Sequence, residues 1–267
     1  MRIAIYQFAP IWGEINNNIE NISRAIASQA ADLWILPELC TTGYVFSNVE
    51  ELKPYAENVK EGATVKALCA LSHQYQTALV FGMAEKSGDQ IFNSAVVLDK
   101  GEIRAVYRKV HLFYEEKKLF SAGTETPPVI EIQGVKIGVM ICFDWFFPEM
   151  ARTLALSGAQ IIAHPANLVL PYCQAAMLTR SLENRVFTAT ANRIGSERCG
   201  TKRLTFTGKS QITSPRGELL GQLKTGRPGI LARDIDPTEA LDKSLTPLND
   251  IFEDRRPEVY QLGKSSR

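Results

Sequence analysis

The chain has 267 residues, of which 45% are hydrophobic and 22% charged, and its formal net charge is +1. That length suffices for one large α/β domain with a sizeable core, and the near-neutral balance gives no electrostatic case for nucleic acid or a membrane surface. The longest apolar runs, VKIGVMICF and AQIIAHPANLVL, are too short to span a bilayer, and the N-terminus enters a strand pattern without a signal-peptide layout, so a cytoplasmic enzyme for a small molecule is expected.

In chain order, RIAIYQFA reads as a strand, NNIENISRAIASQAA as an amphipathic helix and DLWILPEL as a second strand, which makes a β-α-β start. A helical ATVKALCALSHQYQ precedes the strand TALVFGMAEK. IFNSAVVLD-KG-EIRAVYRKVHLF and PVIEI-QG-VKIGVMICF then read as hairpins with glycine turns. From Pro148 the pattern is helix, strand AQIIAHPA, helix AAMLTRSLENRVF, strand TATANRIG and hairpin GKSQITSPRGELLGQL. The tail from Asp234 is polar and punctuated by proline. It is read as an extension, residues 234–267, of a single domain spanning 1–267, packing on a neighbour or a second subunit. Short strands buried on both faces together with hairpins predict an α-β-β-α sandwich, two mixed sheets face to face with helices outside. A single doubly wound sheet is the alternative.

Functional side chains in α/β folds collect where strands end. Three reactive groups stand there: Glu38 after LWILP, Lys109 after AVYR and Cys142 after GVMI. A poorly solvated carboxylate at Glu38 suits a general base. Alternation in YRKVHLF puts Tyr107, Lys109 and His111 on one face and Arg108 on the other, and Lys109 facing a developing oxyanion supplies fixed positive charge. Cys142 opens CFDWFFPE, a strand, turn and helix in the manner of a nucleophile elbow, where a helix N-terminus lowers a thiol pKa. Each residue alone has a bland reading: a capping carboxylate, a solvated lysine, a core cysteine. Cys40, Cys69, Cys142, Cys173 and Cys199 are an odd, widely spaced set without a C-x-x-C pair, which predicts reduced thiols and neither a disulfide framework nor a zinc site. His73, His111 and His164 are the only histidines, and none has the spacing of a cysteine-protease partner. TGKS at 207–210 looks like the end of a P-loop, but the required first glycine falls on Arg203, so nucleotide binding is rejected.

Glutamate, lysine and cysteine in this order, each at a strand end, resemble the nitrilase superfamily of carbon-nitrogen hydrolases. LPELCTTGY resembles its glutamate motif, YRKVHLF its lysine motif and CFDWFFPE its cysteine motif, and the likeness runs from RIAIYQFAP to DRRPEVY. The resemblance implies Glu38 as general base, Lys109 as electrostatic stabiliser and Cys142 as nucleophile. A second glutamate falls in EEKKLFSAG, at Glu116 in preference to Glu115. It also implies the α-β-β-α fold, a homodimer or higher homo-oligomer, and hydrolysis of a small amide with water through a thioester, without metal or organic cofactor. Phe143 would add a backbone N–H to the oxyanion site, and Tyr44, Phe113, Trp145 and Asn167 are candidate substrate contacts. Phe-Asp after the cysteine, where many nitrilases carry Trp-Glu, leans toward an amidase or carbamoylase over a nitrilase. A non-catalytic scaffold and acyl transfer to an amine are the competing readings.

Overall fold

The computed structural model of the chain describes residues 1–260. In chain order the elements are β1 (Arg2–Gln7), α1 (Ile15–Ser28), β2 (Leu33–Ile35), α2 (Val49–Leu52), α3 (Ala63–Gln74), β3 (Ala78–Ser87), β4 (Gln90–Asp99), β5 (Glu102–Arg108) and α4 (Glu116–Leu119). They continue with β6 (Val129–Ile132), β7 (Val135–Val139), α5 (Pro148–Leu156), β8 (Ile161–Ala166), α6 (Cys173–Asn184) and β9 (Phe187–Asn192). The last are β10 (Ser196–Cys199), β11 (Lys202–Thr205), β12 (Gln211–Thr213), β13 (Leu219–Gln222), β14 (Gly229–Asp234), β15 (Ser244–Thr246) and β16 (Asn249–Asp250).

Two six-stranded mixed sheets result, in the orders β14-β1-β2-β3-β4-β5 and β13-β12-β9-β8-β7-β6. Strands β1, β2 and β3 run parallel, as do β7, β8 and β9, and their partners outward are antiparallel. The period-2 alternation of the sequence sorts each strand into two faces. In the first sheet, register aligns Leu231, Ile5, Ile35, Val80 and Val97 in one row. In the second it aligns Val139, Ala163, Ala189 and Ile212, and the two rows share one core. The opposite face of the first sheet, with Ala4, Trp34, Leu79 and Leu98, packs on Ile22 and Ile26 of α1 and on Val65 and Leu68 of α3. Met150, Ala151 and Leu154 of α5 and Met177 of α6 cover the second sheet. The order is therefore helix, sheet, sheet, helix. Each fully buried side chain of this size stabilises by about 1.5–3 kcal/mol, so the central rows fix the register of the strands that end at the site.

Both predicted hairpin turns form on paired left-handed residues, Lys100 with Gly101 and Gln133 with Gly134, as two-residue connections with the twist of the sheet require. Three pairings are absent from the expectation, one of them β15 with β16 in the tail. Strand β14 closes the first sheet against β1, and β10 and β11 form a separate two-stranded hairpin. The described part of segment 234–267 folds back on its own chain: Ile235 N–H bonds to Met1 O, Pro237 O accepts from Gln160, and Phe252 lies against Arg152 and Lys243. Residues 261–267 lie outside the described residues. No helix among the described residues is long and apolar enough to cross a membrane.

Candidate active site

Strands β2 and β5 of the first sheet and β7 and β8 of the second deliver the candidate residues from their C-terminal ends. Glu38 follows β2 on a segment that stays hydrogen-bonded to β3, with Leu36 N–H to Val80 O, Gly82 N–H to Pro37 O and Cys40 N–H to Gly82 O. This crossing is close enough that a Cβ on Gly82 would stand 2.4 Å from Glu38 Cα, so only glycine fits. The residue after Glu38, Leu39, has φ +46°, a left-handed conformation that a leucine adopts only under tertiary constraint.

Lys109 follows β5, and the alternation read from the sequence holds: Tyr107 and Lys109 are buried, whereas Arg108 turns to Glu85 on the other face. The Lys109 ammonium, fully buried, donates at 2.6 Å to Glu38 Oε1 and at 2.8 Å to the Glu116 carboxylate. Burial acts to lower its pKa, but Glu116 and Glu38 outweigh it and hold the group well above the ordinary lysine value. Burial pushes Glu116 up despite the opposing pull of Lys109. Its oxygens also accept from Tyr44 Oη at 2.6 Å and from the Phe113 N–H at 3.1 Å. Glu115 sits outside this cluster, 3.8 Å from Lys118. Asn93, on β4, donates to Glu38 Oε1 at 2.7 Å. The second carboxylate oxygen, Glu38 Oε2, is buried without a hydrogen-bond partner.

Cys142 lies past β7 at the start of a 3₁₀ turn, Cys142–Phe146, and takes φ +42°. A non-glycine residue here costs on the order of 1–3 kcal/mol, and two groups hold it in place. Asp144 accepts from Ile141 N–H, Tyr107 Oη and the N–H and ring Nδ1 of His111, and His164 Nε2 bonds to Cys142 O at 2.9 Å while its Nδ1 meets Thr190 Oγ1. Burial pulls the His164 pKa down to about 4, so the ring is neutral and donates from one nitrogen. The Cys142 thiol interacts electrostatically with Glu38, Lys109 and Glu116. Burial and Glu38 raise its pKa well above the ordinary thiol value, against the opposing effects of Lys109 and the Asn167 N–H. The lowered thiol pKa expected from a nearby helix is therefore corrected: α5 begins at Pro148, as the sequence predicts, but burial outweighs it.

Phe113, Phe143, Trp145, Asn167, Leu168, Val169 and Leu170 form with Cys142 a cleft of about 300 Å³ counted to its open mouth. Asn167 is buried, and both its side-chain Oδ1 and Nδ2 are without partners. Tyr44 does not line this cleft. It faces a neighbouring hollow with Glu116, Leu119 and Leu204, and Phe113 borders both. TGKS has a packing role: Ser210 bonds to Gln7 and Asn192, Thr207 N–H bonds to Leu168 O, and Asn192 Oδ1 accepts from Leu168 N–H. These bonds fix the segment beside Asn167. Asn93 and His164 carry no site signal in the sequence, because their importance lies in what they touch, and Asp144 shows there only as the second residue of the Phe-Asp pair. Asp144 faces the elbow and Tyr107 instead of the cleft, so the Phe-Asp pair gives no substrate clue through its carboxylate. Among the described residues no group of three or more histidines, cysteines or carboxylates is placed to hold a metal.

A buried cysteine on a strained elbow beside a lysine clasped by two glutamates, on two stacked sheets, defines a class. Residues 2–241 match the carbon-nitrogen hydrolase family, and the chain belongs to it. A protein named nitrilase from Pyrococcus abyssi is 44% identical over 97% of this chain and 99% of its own length. A 2-oxoglutaramate amidase from Bacillus subtilis is 31% identical over 97% of this chain and 98% of its own. Among solved structures, an amidase variant from Nesterenkonia sp. AN1, described with acrylamide added at its active-site cysteine, matches with TM-score 0.80 and 30% identity over 97% of both chains. The chain is a carbon-nitrogen hydrolase acting on bonds other than peptide bonds.

Proposed function

We propose that Cys142 attacks the carbonyl carbon of a small amide and that Glu38, Lys109 and Glu116 serve it. The observation that carries this reading is the division of labour at Glu38. Oε1 is engaged by Lys109 and Asn93, while Oε2 stays buried and unpartnered, and the Glu38 charge acts with burial to keep the Cys142 thiol protonated. In this scheme Glu38 takes the thiol proton as the S–C bond forms, and Lys109 with the Phe143 N–H stabilises the oxyanion. Glu38 then gives that proton to the leaving nitrogen, the C–N bond breaks and ammonia or an amine departs. Water, losing a proton to Glu38, adds to the thioester; the S–C bond breaks, the proton returns to sulfur and a carboxylic acid leaves. Glu116, tied to Tyr44 and to the Phe113 N–H, holds Lys109 in line. Phe113, Phe143 and Trp145 wall the acyl group, and Asn167 offers its free carboxamide to the substrate's polar end.

The 44% identical relative named nitrilase favours a second reading, in which the same thiol adds to a small nitrile and two waters are consumed. Ammonia release from aliphatic amides, ω-amides, N-carbamoyl amines and dinitriles, compared with Cys142→Ala, tests both. Amide turnover abolished by the substitution supports the first, and turnover of nitriles alone supports the second. Silence across the panel from a folded protein moves the chain to the scaffold reading. The fold-back tail leaves Leu241, Leu245 and Leu248 exposed, and we assign them to a subunit contact in a homodimer. A monomeric mass by light scattering counts against that assignment.

A further inference from the structure

The residues that hold the charged cluster are themselves held from a part of the fold outside both six-stranded sheets. Arg193, just past β9, is 1% exposed. Its guanidinium lies 4.0 Å above the Phe206 ring, donates to Pro10 O and forms an ion pair with the buried Glu197 at the start of β10. Glu197 turns its other oxygen to two consecutive backbone donors, Tyr44 N–H at 2.9 Å and Val45 N–H at 2.8 Å. Phe206 meets the Tyr44 ring edge-on at 5.9 Å, so the same unit grips both the backbone and the ring of Tyr44. The approach is tight: a Cβ on Gly43, which has φ +87°, would stand 3.0 Å from Glu197 Oε1 and 2.8 Å from Trp12 Cδ1. From Tyr44 the bonds run onward without a break, Oη to Glu116, Glu116 to Lys109 and Lys109 to Glu38.

We propose that Arg193 and Glu197 form a buried latch that positions Tyr44, and through its hydroxyl Glu116 and Lys109, for the hydrolysis. This rests on the catalytic reading of Cys142 and Lys109 given above. Glu197 is a positioning residue and touches no substrate. A carboxylate with two adjacent peptide N–H groups as donors fixes a segment in direction as well as in place. Removing its charge leaves a buried guanidinium unpaired and weakens the acceptor of those two donors. A hydroxyl displaced by a fraction of an ångström then shifts Glu116, and a misplacement approaching 1 Å near the chemistry costs on the order of a hundredfold in rate.

The test uses the full chain and whichever panel compound it turns over. Glu197→Gln is expected to lower kcat by about 10- to 100-fold with a smaller change in KM. The double variant Arg193→Met/Glu197→Gln removes both charges together and leaves an amide oxygen for the Tyr44 and Val45 N–H groups, so it recovers part of that loss. It also serves if Glu197→Gln alone does not fold. Because the latch acts through Tyr44, combining Glu197→Gln with Tyr44→Phe falls no further than the worse single variant. A folded Glu197→Gln protein with kcat within about twofold of wild type, or effects that multiply in the Tyr44→Phe combination, overturns the latch. Turnover surviving in Cys142→Ala instead overturns the catalytic reading, so the two failures are told apart.

Discussion

The two sheets contribute unlike halves to one site. The first sheet brings three charges, Glu38, Lys109 and Glu116, that hold each other by ion pairs in a buried cluster. The second brings Cys142, held by a left-handed backbone, a carboxylate gathering four donors and a neutral histidine on its carbonyl. The charged half thus depends on its members all being present, because each carboxylate is compensated by the same ammonium. The nucleophile half depends on backbone geometry, because its thiol is neutral at rest.

That difference ranks the expected effects. Lys109→Met leaves two carboxylates facing each other without a cation. Turnover should fall by at least about a thousandfold, with a loss of roughly 3–5 kcal/mol in denaturant titration. Unchanged stability would mean that one carboxylate simply takes up a proton. Gly82→Ala pushes on the Glu38 backbone from a distance of 2.4 Å. A drop in kcat of about a hundredfold is expected in steady-state assays, and normal kinetics would show that the crossing relaxes freely. His164, whose pKa is pulled down to about 4, binds its proton more readily unfolded than folded. The stability this neutral ring contributes is present above pH 6.5 and drains as pH falls from about 6.5 to 4, by up to about 3 kcal/mol. His164→Gln should flatten that part of the stability profile. The smallest effect belongs to the neighbour of Lys109: Arg108 faces Glu85 on the other side of β5, and Arg108→Met should leave kcat within about threefold. A large loss there would contradict the assignment of faces.

Much of the site was legible because it follows from strand ends and alternation. Glu38, Lys109 and Cys142 each close an apolar run, and period 2 separates Lys109 from Arg108. Lys100-Gly101 and Gln133-Gly134 announced their hairpins. The hairpin of β10 and β11 was not legible, since SERC and KRLT are short and polar without alternation, and β14 is defined by pairing with β1 at the far end of the chain. Arg193 and Glu197, in NRIGSE, show no sign of burial in the sequence for the same reason: it comes from Tyr44, Pro10 and Phe206, which are distant in sequence or beyond a turn. The expected thiol pKa failed although the helix start at Pro148 was read correctly, because burial outweighs any effect of that helix and the depth of burial was not visible in local sequence.

The central claim is that Cys142 becomes an acyl thioester during turnover. Rapid acid quench of the enzyme working on its best amide or nitrile, followed by mass measurement of the peptide carrying Cys142, tests it most directly. The account predicts an added acyl mass on that peptide during turnover, absent from Cys142→Ala. Sustained turnover with no adduct on Cys142 at any quench time, and undiminished in Cys142→Ala, would contradict it.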